Sequence, residues 1–160
     1  MRKKVILILL LVWTVAVAAA IFGFSSQTGE ESGNVSKGLM NGMFSFLPLS
    51  REGQEILHHI IRKSAHMAEY SVLSASVCVL FFYLADIRLW NGISRRKMAA
   101  LAFAFSSLFA ATDEIQPMFV PGRGPSVKDV LIDIVGASIG IALIYIVCRY
   151  KKKKIVEAKR

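Results

Sequence analysis

The chain has 160 residues, 54% of them hydrophobic, and carries a formal net charge of +9. Its apolar residues run in long blocks rather than amphipathic stripes, which excludes an ordinary soluble domain. The basic excess sits in short clusters beside those blocks, a pattern of membrane topology and anionic-lipid contact rather than of nucleic-acid binding.

Residues 5–24 hold no charge. Twenty residues at about 1.5 Å each cross a hydrocarbon core of roughly 30 Å. Arg2, Lys3 and Lys4 with Ala18–Ala20 also resemble a signal peptide. The apolar run exceeds the usual ~7–15 residues of such a peptide, so a retained anchor is expected. The loop 25–63 follows. Its polar start gives way to Val35, Leu39, Met43 and Phe46 at helical spacing, so segment 34–47 is predicted to lie flat on the interface, ending at Pro48. Asn34-Val-Ser36 matches a glycosylation sequon, with nothing else to support a glycosylated product. Ile56, Leu57, Ile60 and Ile61 form pairs four apart, predicting a helix that leads into the next span.

The second span is predicted at 64–85 and the third at 98–119, interrupted near its end by Asp113, Glu114 and Pro117. The fourth is predicted at 127–148, its start capped by Ser126 with Asp129 as the reciprocal acid of a capping box. A basic tail, 149–160, closes the chain. The expected fold is all-α: a single domain, 1–160, built as an integral membrane four-helix bundle with a partly helical outer loop. Arg2–Lys4, the loop with Arg88 and Arg95–Lys97, and the lysine-rich tail alternate correctly for four spans, placing both termini in the cytoplasm. Cys78 and Cys148 lie in apolar segments without motif spacing and are read as packing residues. His58 and His59, being adjacent, point different ways on a helix and are read as interfacial surface.

Ionisable residues gather at the outer ends of these spans: Arg62, Lys63, His66, Glu69, Asp113, Glu114, Arg123, Lys128, Asp129 and Asp133. Charge beside or inside a span is expensive and normally faces other protein. Arg62, His66 and Glu69 share one helical face, with Tyr70 beside it. Asp129, Asp133, Gly136 and Gly140 share another, with Asp133 about 9 Å below the helix start at 1.5 Å per residue. Gly136-Ala-Ser-Ile-Gly140 fits a hydrolase elbow on paper, but that motif needs a strand-turn-helix context; as small-x-x-x-small it fits helix packing. Pro121-Gly-Arg-Gly-Pro125 sets Arg123 in a tight turn before a helix N-terminus, a place suited to an anion such as phosphate, with Arg62, Lys63 and Lys128 in support. The bland alternative is a self-satisfying network that holds helices in register and adds little net stability. No close pair of histidines supports a metal site, and no cofactor is expected.

Phe24-Ser-Ser-Gln27, Arg62-Lys-Ser-Ala-His-Met-Ala-Glu-Tyr70, Asp113-Glu114, Phe119-Val-Pro-Gly-Arg123, Asp129 and Asp133 together resemble the VanZ-like membrane proteins over about residues 24–140. That family is named after a protein linked to teicoplanin resistance in Gram-positive bacteria. The chain departs from its pattern where Gln116 and Pro117 stand; the pattern has a histidine or variable residue and then glutamine at those two places. The resemblance implies a multi-pass protein of the bacterial cell membrane, with an effect on susceptibility to lipidated glycopeptides.

Three functions compete. In the preferred one, an outward-facing polar cavity of Arg62, Lys63, His66, Glu69, Tyr70, Asp113, Glu114, Gln116, Arg123, Asp129 and Asp133 binds an anionic lipid, a cell-wall precursor or a lipoglycopeptide. In the second, His66, Glu69, Asp113 and Glu114 supply acid–base chemistry on such a lipid, with Arg123 stabilising charge. In the third, Asp133 and Glu69 relay protons; the acid-free inner half of the spans argues against a through-path.

Overall fold

A computed structural model describes residues 1–26, 38, 42, 50–87, 89–90, 92–116 and 124–157, with only the backbone of 152, 153, 155 and 156. The fold is all-α. Four helices run Arg2–Ser25 (α1), Arg51–Asp86 (α2), Arg95–Asp113 (α3) and Val127–Glu157 (α4), and no strand occurs among the described residues. Of the predicted interfacial segment 34–47, only Gly38 and Gly42 are described, and both are helical. The sequon at Asn34 and the turn at Arg123 lie outside the described residues.

α1, α2 and residues 127–151 of α4 are each long and apolar enough to cross a membrane. The chain is a multi-pass membrane protein, and its exposed large apolar side chains fit contact with lipid. Val5, Ile8, Leu9, Val12, Leu143 and Ile146 all face outward. In water they would be a liability; in lipid they meet a solvent as apolar as themselves.

α3 differs from expectation. It ends at Asp113 rather than continuing to Phe119. Between Lys97 and Asp113 the uncharged stretch 98–112 spans about 22 Å, less than the hydrocarbon thickness. One face of this helix is covered by its neighbours, while Leu101, Phe105 and Leu108 face outward. Met98, Ala102, Ser106 and Ala110 recur every four residues and are buried, a stripe of mostly small side chains that lets α3 approach α2 and α4 closely.

α2 is the centre of the bundle and packs against each of the other three helices. It starts under a Ser50 cap, whose side chain accepts from the Gly53 amide, and it absorbs the predicted lead-in helix without a break. Its 36 residues measure about 54 Å, well beyond the membrane core, so the first turns stand in the interface or outside it. Tyr70, Leu73, Val77 and Cys78 form its buried stripe, joined by Ile21 of α1 and by Met98, Ala102 and Ala110 of α3. Gly92, at φ 81, supplies the left-handed turn between α2 and α3.

α4 meets α2 through Gly136 and Gly140. A Cβ at Gly136 would strike the Met67 carbonyl oxygen, and one at Gly140 the Ser71 carbonyl oxygen and Ser74 Oγ. Ser71 Oγ donates to the Gly136 carbonyl at 2.8 Å across this contact. α4 also extends past the predicted end at Cys148, carrying the basic tail on helix as far as Glu157.

α1 is tied in along its length. Trp13 Nε1 donates to Ser76 Oγ at 3.0 Å, and Tyr83 Oη donates to the Lys3 carbonyl at 3.0 Å. The helices alternate in direction. One end of the bundle therefore collects Lys3, Asp86, Arg95 and Arg149, the other Ser25, Lys63, Asp113 and Asp129.

Candidate functional site

The end opposite the basic cluster holds a polar layer contributed by all four helices. Asp113, the last residue of α3, is 4% exposed. Its Oδ2 accepts from Ser25 Oγ at 2.6 Å and from Tyr70 Oη at 3.1 Å. One carboxylate oxygen thus joins α1, α2 and α3. Tyr70 is fully buried, and its ring leans on Phe109 at 6.3 Å between centroids. Ser25 was expected as the first residue of a polar loop; it is the buried final residue of α1 instead. The only local signal for it was the Phe24-Ser-Ser-Gln27 motif.

On α2, His66 and Glu69 are one turn apart as predicted, with Nδ1 and Oε2 3.7 Å from each other. That is a loose pairing, adjustable by a bound group. Lys63 forms an ion pair with Asp129 on α4, both about a quarter exposed.

The start of α4 is capped, but not as expected. Ser126 Oγ accepts from the Asp129 amide at 3.3 Å. The reciprocal half comes from Glu114, whose Oε1 accepts from the Ser126 amide at 2.7 Å. Glu114 reaches over from the end of α3, and this leaves the Asp129 carboxylate for Lys63. The division has a physical logic: an acid at each place favours the positive end of α4, and two acids together bind α3 and α2 to it. Replacing Ser126 with Ala removes the cap oxygen and is expected to cost about 1 kcal/mol, read as a lower thermal midpoint in detergent. An unshifted midpoint would show that the cap does not matter.

Asp133, one turn below Asp129, is 3% exposed. Asp113, Glu114, Glu69 and Lys63 all lie close enough to act on its charge. Arg62 and Lys128 act in the same way on Lys63. Asp133 Oδ1 is buried and accepts no hydrogen bond from a described residue, and Gln116 Oε1 is in the same position. Arg62, Lys63, His66, Glu69, Tyr70, Asp113, Glu114, Asp129 and Asp133 therefore belong to one neighbourhood. Arg123 lies outside the described residues. Among those residues no group of three or more His, Cys, Asp or Glu has the spacing to hold a metal ion.

Among the described residues this layer sets Glu69, Asp113, Glu114, Asp129 and Asp133 beside Arg62, Lys63 and Lys128. Lys63 is taken by Asp129, while Asp113 and Asp133 sit deeper, where water is scarce. Such an arrangement receives hydrogen-bond donors well. Its buried hydroxyls, Ser25 Oγ and Tyr70 Oη, both donate to the Asp113 carboxylate.

Comparison with known sequences adds one positive finding. The sequence model of the VanZ/LLP1 family matches residues 6–149, nearly the whole chain. No curated protein and no solved structure matches significantly.

Proposed function

The chain belongs to the VanZ/LLP1 family, and from that premise we propose that it binds an amphiphile in the polar layer at the end of the bundle away from its basic helix ends. The observation that carries this reading is Asp133. A carboxylate that is 3% exposed, with an oxygen that accepts nothing from any described residue, is costly by about 1–3 kcal/mol or more until a donor arrives. Intramembrane acids of this kind mark functional places by default. A ligand hydroxyl or amine supplies the donor, and Asp113 and Glu114 hold the surrounding frame. Arg62 and Lys63 hold the anionic head group, with Asp129 orienting Lys63, and Arg123 is assigned to the same head group from its place in the sequence motif. Gln116, Glu69 and Tyr70 complete the lining.

Both termini and the basic helix ends face the cytoplasm in this reading, following the rule that Lys and Arg collect on that side. The polar layer then opens outward, at head-group depth of the outer leaflet. Its ligand is an anionic lipid, a cell-wall precursor or a lipidated glycopeptide, and its binding lowers susceptibility to teicoplanin.

The test is native mass spectrometry of the purified protein with phosphatidylglycerol, a lipid-linked cell-wall precursor and teicoplanin. Asp133→Asn keeps volume and removes charge; Arg123→Ala removes the arginine of the Pro-Gly-Arg motif. Each is expected to weaken adducts of the true ligand roughly tenfold, the equivalent of one charged hydrogen bond. Unchanged adducts in both variants, with unchanged melting, would sink the reading.

His66 beside Glu69 supports a second reading, a membrane enzyme with an oriented base acting on a lipid or cell-wall precursor. It requires turnover of a polyprenyl phosphate or phospholipid, lost in His66→Gln. No turnover across a broad lipid panel leaves it without support.

A further inference from the structure

At the basic end, three helices border a half-open cavity of about 440 Å³ lined by Phe82, Arg95, Arg96, Tyr145, Cys148 and Arg149. The polar layer described above lies at the opposite end and plays no part here. Three arginines line this one space, and their compensation among the described residues is poor. Arg95 meets Asp86 at 3.4 Å, in a pair about half exposed, where an ion pair contributes little. Arg96 and Arg149 have no acidic partner among the described residues.

The helix geometry makes the imbalance sharper. The first turn of α3 carries Arg95, Arg96 and Lys97 and no acid. A helix start carries positive partial charge and favours anions, so three cations there oppose it. Ser94 Oγ caps the Lys97 amide, which satisfies one donor but adds no negative charge. α4 then brings Arg149 to the same place.

The walls are already shaped for an anion with an apolar attachment. The Arg95 guanidinium lies 5.4 Å from the centre of the Phe82 ring, a contact that holds its planar fork in one orientation. Phe82, a core residue, and the partly buried Tyr145 and Cys148 packed against that core give the cavity an apolar inner wall. Arginine forks match phosphate oxygens in pairs, which a lysine cannot do.

We propose that this cavity is a binding site for a phosphate-bearing anion, the head group of an anionic phospholipid in the leaflet that borders the basic helix ends. Its phosphate sits between Arg96 and Arg149, against the start of α3, and its acyl chains follow the apolar wall outward. Basic pockets between helices at this depth are a recurring means of lipid recognition.

The experiment uses the full chain purified in a neutral detergent. Native mass spectrometry and thermal shift are measured with phosphatidylglycerol, with phosphatidylcholine as the zwitterionic comparison, and with inorganic phosphate alone. Phosphatidylglycerol is expected to bind and to raise the melting temperature, and phosphatidylcholine is not. Replacing Arg96 and Arg149 together with Ala is expected to weaken phosphatidylglycerol binding about tenfold or more. Replacing Lys151 and Lys154 together with Ala removes equal charge from the exposed α4 end outside the cavity, and is expected to change binding less than about threefold. If both double variants lose binding equally, the attraction is diffuse and the proposal fails. It also fails if the arginine variant binds as the parent does, or if it no longer melts cooperatively while Arg96→Gln, which spares Arg149, retains full binding. Stabilisation by inorganic phosphate that depends on Arg96 and Arg149, without any by phosphatidylglycerol, would keep the phosphate site and overturn its assignment to a lipid.

Discussion

Gly140→Ala is expected to destabilise the protein by about 1–3 kcal/mol, and Gly140→Leu to separate α4 from α2 altogether. The reason is what a Cβ meets there. It would strike the Ser71 carbonyl oxygen and Ser74 Oγ, and a Cβ at Gly136 would strike the Met67 carbonyl. Two of these three atoms are backbone and have no rotamer to escape into, so the helices must move apart. In lipid the consequence is larger than in water, because no hydrophobic force presses transmembrane helices together. Contact at short range does that, together with the Ser71 Oγ to Gly136 carbonyl bond at 2.8 Å, and both are lost as the axes separate. Gly23 provides the internal control. It lies in α1 with nothing within 4 Å of its would-be Cβ, so Gly23→Ala is expected to be neutral or to stabilise by up to about 1 kcal/mol through helix propensity. The same substitution then has opposite signs at two positions, read by thermal melting in detergent and by protease resistance. Equal behaviour at Gly23 and Gly140 would refute the close-contact account.

Much of this architecture was legible from local pattern. Charge-free blocks announced α1 and the apolar part of α4, and period-four pairs at Ile56, Leu57, Ile60 and Ile61 announced that α2 begins well before its span. Gly136 and Gly140, four apart in an apolar run, announced that α4 packs closely on a neighbour, which the structure identifies as α2. Helical arithmetic placed His66 and Glu69 side by side. What escaped the sequence depends on pairs distant along the chain. Ser126 and Asp129 look like a complete capping box, yet the acid that closes it is Glu114, because α3 stops at Asp113 and the following residue turns toward the start of α4. Ser25 looks like loop until Asp113, 88 residues away, is brought against it. The arginine-lined cavity has no motif at all. It exists only where the starts and ends of three helices converge, a property of the bundle and not of any segment.

Asp113→Ala is expected to be among the most damaging single substitutions in the polar layer, costing about 2–4 kcal/mol. The estimate does not come from the strength of two hydrogen bonds, since interhelical bonds in membranes average only about 0.6 kcal/mol each. It comes from what is left behind. Asp113 Oδ2 receives both the Ser25 and the Tyr70 hydroxyl, and Tyr70 is fully buried, so removing the carboxylate strands donors where water does not reach. Asp113→Asn keeps a carbonyl oxygen in the same place and is expected to cost less than about 1.5 kcal/mol. Tyr70→Phe removes one donor along with its need for an acceptor and is expected to cost about 1 kcal/mol. The decisive comparison is the pair. In the Asp113→Ala background, Tyr70→Phe should cost almost nothing or restore stability, because the stranded hydroxyl is gone. Such non-additivity is the signature of direct coupling. If the two losses simply add, the carboxylate and the phenol act independently, and the junction of α1, α2 and α3 at this oxygen is not what holds that end of the bundle together.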